Sequence, residues 1–233
     1  MNESDDIEVN KESVVHEEKE SPVAQASTAM FTPVEARILA CLMEKEMTVP
    51  DSYPLTLNSL LLACNQKSNR EPTMQLTEGE VGHTARDLAD RHLVKIEYRG
   101  RTQKLEHKVQ RELDINQKQQ ALLAVMMLRA PLTLNEMKTR TARMVKFDDL
   151  DDVRLTLESL NERSKPLVQH IPKESNQRED RYTHLLCGAI DIAALPVKES
   201  VHNTPAKSLQ LEALQQKLEQ LEERITILEE LLK

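Results

Sequence analysis

The chain has 233 residues, enough for two domains, and 30% of them are charged. Its formal net charge of -8 is uneven: residues 1–30 carry -6, residues 31–113 carry 0, residues 114–187 carry +1 and residues 188–233 carry -3. The acidity of the two ends therefore says little about what the central body binds. The sequence has no signal sequence and no run of about eighteen consecutive apolar residues, which predicts a soluble, cytoplasmic protein with no membrane contact.

Residues 1–30 are rich in Glu, Ser and Asp and have no apolar periodicity, which predicts a disordered acidic tail. Three helices are predicted in residues 31–113, and each begins at a threonine N-cap: Thr32, Thr56 and Thr77. Thr32 and Thr77 are each followed three residues later by glutamate, which completes a capping box. Residues 93–98 and 105–109 alternate as the two strands of a hairpin would, and residues 99–101 form its turn.

The tetrapeptide Leu55–Asn58, LTLN, recurs as Leu132–Asn135. Around the second copy, helices are predicted over residues 117–129, from the cap at Thr133, and over 149–163, with strands over 167–171 and 181–186. Both copies thus lie in the order helix, short strand, helix, helix, hairpin, which is the winged-helix plan. We predict a mainly α chain with small β-hairpins (α+β), in which residues 31–113 and 114–187 form two tandem winged-helix domains.

Pro196 and Pro205 mark a linker over residues 188–206, and residues 207–233 contain neither Gly nor Pro. Apolar residues recur there at alternating spacings of three and four, which predicts a coiled-coil helix. The seam consists of Leu211, Leu214, Leu218, Leu221, Ile225, Leu228 and Leu232. Charges flanking the seam favour a parallel homodimer, and the alternative is a helix that folds back onto its own chain.

Residues 32–72, TPVEARILACLMEKEMTVPDSYPLTLNSLLLACNQKSNREP, resemble the YceH family of bacterial proteins. The segments KTRTARM, PLVQHIP and RYTHLL of the second unit are similar to that family as well. The resemblance covers about residues 31–187, and its most specific part is NQKSNREP. It implies the tandem winged-helix fold, and it implies no catalytic residue, metal ligand or biochemical activity.

No constellation for catalysis is visible, so we predict that the protein is not an enzyme and holds no cofactor and no metal. The sequence lacks a Gly-rich phosphate loop and a nucleophile elbow. His170 and His184 fall on the two predicted strands of the second hairpin and could be neighbours, but they have no third convergent ligand. Cys41 and Cys64 fall on apolar helix faces, and we interpret them as small buried side chains rather than as parts of a disulfide framework.

A winged helix suggests DNA as a ligand, although the fold alone is only an analogy. Basic residues cluster in the loop after the second helix, around the first wing and along residues 137–147, which we interpret as one amphipathic helical segment. The predicted nucleic-acid contacts are Lys67, Arg70, Arg99, Arg101, Lys104, Lys138, Arg140, Arg143 and Lys146. Solvated surface charge with no ligand is the alternative for each cluster.

The third helix of the second unit argues against DNA, because its outer face is acidic where a recognition helix meets phosphates. That face is predicted to contain Asp151, Asp152, Leu155, Glu158 and Glu162. An acidic face with an exposed leucine would select a basic or helical protein partner. The sequence therefore leaves two hypotheses, slightly in favour of the first: a DNA-binding or regulatory factor, and a protein-interaction scaffold.

Overall fold

The computed structural model describes residues 29–99, 102–173 and 177–188, without the side chain of Arg99. Within these ranges the protein is mainly helical, with seven α-helices and two small antiparallel sheets. None of the described helices is long and apolar enough to cross a membrane. The predicted acidic tail, linker and coiled coil lie almost entirely outside the described residues, so they stay predictions.

The first unit contains three helices and a three-stranded sheet. Its elements are α1 (Pro33–Thr48), β1 (Leu55–Thr56), α2 (Leu57–Cys64), α3 (Glu78–Asp90), β2 (Val94–Arg99) and β3 (Thr102–His107). The capping boxes predicted at Thr32 and Thr77 are both present, and Thr56 caps α2 through its side chain. The strand order is β1-β3-β2, and β3 begins at Thr102 rather than at the predicted residue 105.

The second unit repeats this order. A short helix that the sequence did not predict, α4 (Val109–Leu113), leads into α5 (Gln117–Arg129), α6 (Leu134–Thr141), α7 (Leu150–Asn161), β4 (Val168–Ile171) and β5 (Arg181–His184). An isolated bridge joins Leu132 to Tyr182, where the first unit has β1 paired with β3. Each unit therefore consists of a helix, a short extended segment, two helices and a hairpin.

The repeated LTLN segments have the same structural role in both units. Leu55 and Leu132 are each buried and lie beside a strand of the hairpin. Thr56 and Thr133 accept a hydrogen bond from the backbone N–H three residues later and so begin α2 and α6. One tetrapeptide thus ends a strand and starts a helix, because an N-cap residue has extended φ and ψ angles.

The predicted helical segment 137–147 is shorter than expected. Helix α6 ends at Thr141, whose hydroxyl donates to the carbonyl of Met137 at 2.8 Å, and the N–H groups of Met144 and Val145 both bond to the carbonyl of Thr141. A turn therefore replaces the second half of the predicted helix. Arg143 and Lys146 lie after the helix rather than on its outer face.

Helices α1 and α5 pack against each other and join the two units into one core. Residues 38–43 of α1 and 121–124 of α5 are completely buried. The sequence predicted a single apolar face on α1, whereas the structure buries this stretch of the helix on all sides. A helix that is apolar all round is typical of a core covered by several elements. Here the additional cover is the first helix of the other unit.

Candidate binding surfaces

Arg70, one of the nine cations assigned to a nucleic-acid surface, lies inside the protein. Its side chain is 0% exposed and forms a two-pronged ion pair with Glu44 of α1, at 2.6 and 3.2 Å. Its Nε also donates to the carbonyl of Ala63 at 3.0 Å. Such a fork satisfies the planar guanidinium internally. The assignment of Arg70 to a ligand surface is therefore corrected: this residue anchors its loop to α1.

A second buried arginine, Arg37, holds the same loop and was not singled out from the sequence. Its Nη1 donates to the carbonyl of Cys64 at 3.2 Å, and its Nη2 donates to that of Pro72 at 2.6 Å. Burial lowers the pKa of Arg37. Asn65 closes the loop by bonding both the carbonyl and the N–H of Leu76 at 2.8 Å. The segment NQKSNREP is thus a loop folded around polar side chains.

A cavity of about 450 Å³ lies where this loop meets the second unit. The first unit contributes the end of α1 and loop residues that include Ser68 and Asn69, and the second unit contributes the ends of α5 and α6. Three guanidinium groups line it: Arg129, Arg140 and Arg143. The structure thus brings two of the predicted contact residues, Arg140 and Arg143, next to the loop that carries Lys67. Arg129 was missed, because it stands alone between an apolar helix and a proline.

The other predicted cations differ in their surroundings. Lys138 donates to the backbone carbonyl of Asp148 at 2.9 Å, whereas Lys67 and Lys146 are exposed. Lys104 lies on β3 opposite Glu97 and is half-buried. Arg101 and the side chain of Arg99 lie outside the described parts of the chain.

The acidic face of α7 is exposed at four of its five predicted positions: Asp151, Leu155, Glu158 and Glu162. Leu155 is 65% exposed and lies among the charged side chains of the outer face of α7. Asp151 pairs with Arg154 one turn later, at 3.0 Å. This face combines a protruding leucine with carboxylates on both sides of it.

Asp152, the fifth position, has a structural role instead. Its carboxylate is 2.7 Å from the Lys118 ammonium and accepts the backbone N–H of Asp148 at 3.2 Å. The hydrogen bond from Lys118 lowers the pKa of the Asp152 carboxyl. These contacts tie the start of α7 to α5. Asp152 therefore contributes less to the outer charge of the helix than its neighbours do.

A polar cluster that the sequence did not indicate connects the two units: Glu46 of α1, His107 of β3 and Gln120 of α5. His107 Nε2 lies 2.8 Å from a Glu46 carboxylate oxygen, to which Gln120 also donates at 2.9 Å. His107 Nδ1 accepts the backbone N–H of Val109, so its proton belongs on Nε2, facing Glu46. The hydrogen bond from His107 lowers the pKa of Glu46.

His170 and His184 do not form a cross-strand pair. His170 lies opposite Tyr182 in the β4–β5 ladder, and His184 lies opposite Val168. His170 Nε2 is 2.9 Å from Asp180, whereas His184 is buried and desolvation lowers its pKa to about 4. In the described ranges, no group of three or more His, Cys, Asp or Glu side chains could hold a metal ion.

Cys41 and Cys64 are buried and free, as interpreted from the sequence. Cys187, on which the sequence made no prediction, is half-buried and also free. The Cys41 and Cys64 thiols lie close to the two buried guanidinium groups of Arg37 and Arg70. All three side chains are therefore parts of the interior or its margin rather than of an exposed site.

Comparison with known proteins confirms the family resemblance. A family model described as "Protein of unknown function, DUF480" matches residues 31–177. A UPF0502 protein of Cellvibrio japonicus is 44% identical over 200 residues, which cover 86% of this chain and 88% of the relative. A UPF0502 protein of Albidiferax ferrireducens is 42% identical over 211 residues, or 88% and 92% of the two chains. A third, from Mesorhizobium japonicum, is 41% identical over 201 residues, or 85% and 96%.

Proposed function

Because this chain belongs to the DUF480 family, whose description assigns no activity, we propose a function from its surfaces. We propose that it is a non-enzymatic regulatory protein with two winged helices, which binds a protein partner. The fold proposal is supported by the order helix, strand, helix, helix, hairpin in both units and by the sheet order β1-β3-β2. The partner binds the acidic face of α7. The observation that carries this choice is the 65% exposure of Leu155 among carboxylates.

The exposed carboxylates make α7 a poor reader of DNA and a good acceptor of a basic segment. Asp151, Glu158 and Glu162 would face phosphates if α7 entered a major groove, and like charges close together repel. A basic amphipathic segment reverses the sign of that interaction, and Leu155 supplies an apolar anchor for it. The outer face of α3 is mixed: Asp87 and Asp90 are exposed there, and so is Arg86.

The first prediction concerns this face. Combining Leu155→Ala with Glu158→Lys should weaken capture of the partner from lysate at least about tenfold, since both the apolar anchor and the charge complementarity are lost. Binding is compared before and after nuclease treatment, by quantifying the co-purified protein and nucleic acid. The matched control combines Leu62→Ala, at a leucine 64% exposed on α2, with Asp90→Lys on α3. Equal losses in both variants would contradict the assignment of α7.

DNA binding is the second candidate, and a different observation favours it. Tyr98 is 76% exposed near the end of β2, beside residues 99–101, which the sequence predicts to form the turn of the first wing. An aromatic and basic wing tip can contact a DNA backbone or groove, with Lys67, Arg143 and Lys146 as further phosphate contacts. If DNA is the ligand, nuclease abolishes the capture, and affinity falls steeply with salt. Each lost cation should then lower the salt slope by about 1.

The second prediction concerns assembly. We propose that residues 211–232, outside the described ranges, pair two chains in a parallel coiled coil, because Lys217 would face Glu222 and Arg224 would face Glu229 of the second copy. Sedimentation should then give a dimer for the intact protein and a monomer for a chain ending at Pro205. If both proteins are monomers, or both are dimers, this helix is not the dimer seam.

A further inference from the structure

The cavity between the units carries more positive than negative charge. Arg129, Arg140 and Arg143 line it together with Lys45, and Glu44 is the one carboxylate among the described residues that line it. Both oxygens of Glu44 are already bound to the buried Arg70. The carboxylate in the described lining of the cavity is therefore occupied by Arg70, and it is not free to pair with the three guanidinium groups.

The hydrogen-bonding groups of these arginines are incompletely used. The Nε atom of Arg140 is buried and has no hydrogen-bond partner among the described residues. Arg143 is exposed and forms no salt bridge with any described residue. Arg129 donates through Nη1 to Asn69 at 3.1 Å, and its guanidinium has five N–H donors in all, so others can still bind a ligand. Burial and the nearby charge of Arg129 lower the pKa of Arg140, whereas the carboxylates of Glu136 and Glu71 act on it in the opposite direction.

A buried donor without a partner costs free energy, and so does holding like charges together. An oxyanion in the cavity would reduce both costs, because guanidinium groups bind phosphate and carboxylate oxygens in pairs of parallel hydrogen bonds. We propose that this cavity is a binding site for a small molecule with two or more closely spaced oxyanion groups. This site is separate from the face of α7, and the inference does not depend on the proposed function.

The size and the lining define the ligand further. A volume of about 450 Å³ is within the range of small-molecule sites and exceeds what a single inorganic ion needs. Ser68 offers a hydroxyl group, whereas the hydroxyl of Thr139 already donates to the carbonyl of Asn135 at 2.9 Å. Val125 and Leu128 form an apolar wall. The ligand would therefore present its oxyanions to the arginines and a short carbon skeleton to α5. Because it would contact residues from both units, it would stabilise their packing.

The third prediction tests the site with two defined ligands, pyrophosphate for phosphate chemistry and citrate for carboxylate chemistry. Calorimetric titration of the intact protein should show saturable binding of one molecule per chain for at least one of them. At 100-fold excess over Kd, that ligand should raise the unfolding midpoint by about 5 °C or more. Arg140→Gln and Arg143→Gln should each weaken binding at least about tenfold, since each removes charge-assisted hydrogen bonds.

Two variants and one competitor make the outcome decisive. Arg143 is exposed, so Arg143→Gln keeps the fold and reports on binding even if Arg140→Gln alters stability. Arg86→Gln is the matched control, because Arg86 is an exposed arginine on α3 outside the cavity lining, and it should leave the affinity unchanged. The proposal is overturned by no binding of either ligand at about 10 mM, or by an equal loss in Arg86→Gln. Displacement by a short DNA duplex would overturn it too, because the cavity would then belong to a nucleic-acid surface.

Discussion

Replacing Arg70 with alanine is expected to lower the free energy of unfolding by about 3–5 kcal/mol. The substitution replaces the two-pronged guanidinium partner of the mostly buried Glu44 carboxylate by the more distant Lys45 ammonium, 3.6 Å away, and removing one partner of a buried ion pair is strongly destabilising. It also leaves the carbonyl of Ala63 without the Nε donor. Urea unfolding at pH 7, extrapolated to water, measures the effect.

Lys67→Ala is the control for this prediction, because Lys67 belongs to the same loop but is exposed, and it should change stability by less than about 0.5 kcal/mol. Glu44→Leu combined with Arg70→Met removes both charges and should recover part of the loss. If Arg70→Ala keeps full stability and instead weakens ligand binding, the buried ion pair is not the role of this residue.

Leu123→Ala in α5 is expected to cost about 2–5 kcal/mol, because Leu123 is completely buried and the smaller side chain leaves a cavity. The location of the effect matters as much as its size. Because α5 packs on α1, the substitution should weaken both units together. Hydrogen exchange should therefore accelerate in the β2–β3 hairpin of the first unit as well as in α7 of the second.

The matched control is Leu155→Ala, the same chemical change at an exposed leucine, which should cost less than about 0.5 kcal/mol. An unchanged exchange rate in the β2–β3 hairpin of Leu123→Ala would contradict the joint core. The units over residues 31–113 and 114–187 would then be independent domains, as their order along the sequence suggests.

Much of the local structure could be predicted from the sequence, because its signals are local. Caps at Thr32, Thr77 and Thr133 each depend on a side chain and an N–H three residues away, and all three helices begin where predicted. The bounds of α5 follow from its apolar spacing in the same way. The start of β3 and the register of the β4–β5 hairpin, which places His170 opposite Tyr182, were not predicted.

The burial of Arg70 could not be predicted, because it depends on an ion pair with Glu44, 26 residues earlier in the chain. Its neighbours are polar, and local composition makes such a loop resemble a solvated surface. Arg129 and the cavity were missed for a related reason: the loop, α5 and α6 meet only in the folded protein. One signal for the joint core was present, since ALLAVMML in α5 and ILACLM in α1 are uninterrupted apolar runs too wide for one covered face.

The contact between α1 and α5 also bears on how this chain arose. These are the first helices of the two repeated units, so equivalent helices of the repeats pack against each other. Equivalent elements also meet in a symmetric homodimer. The chain thus contains, within one polypeptide, an interface that a single-unit ancestor would need two copies to form. Duplication and fusion would make such a dimer permanent, after which each half could change separately. The loop around Arg70 and the acidic face of α7 are two features in which the present halves differ.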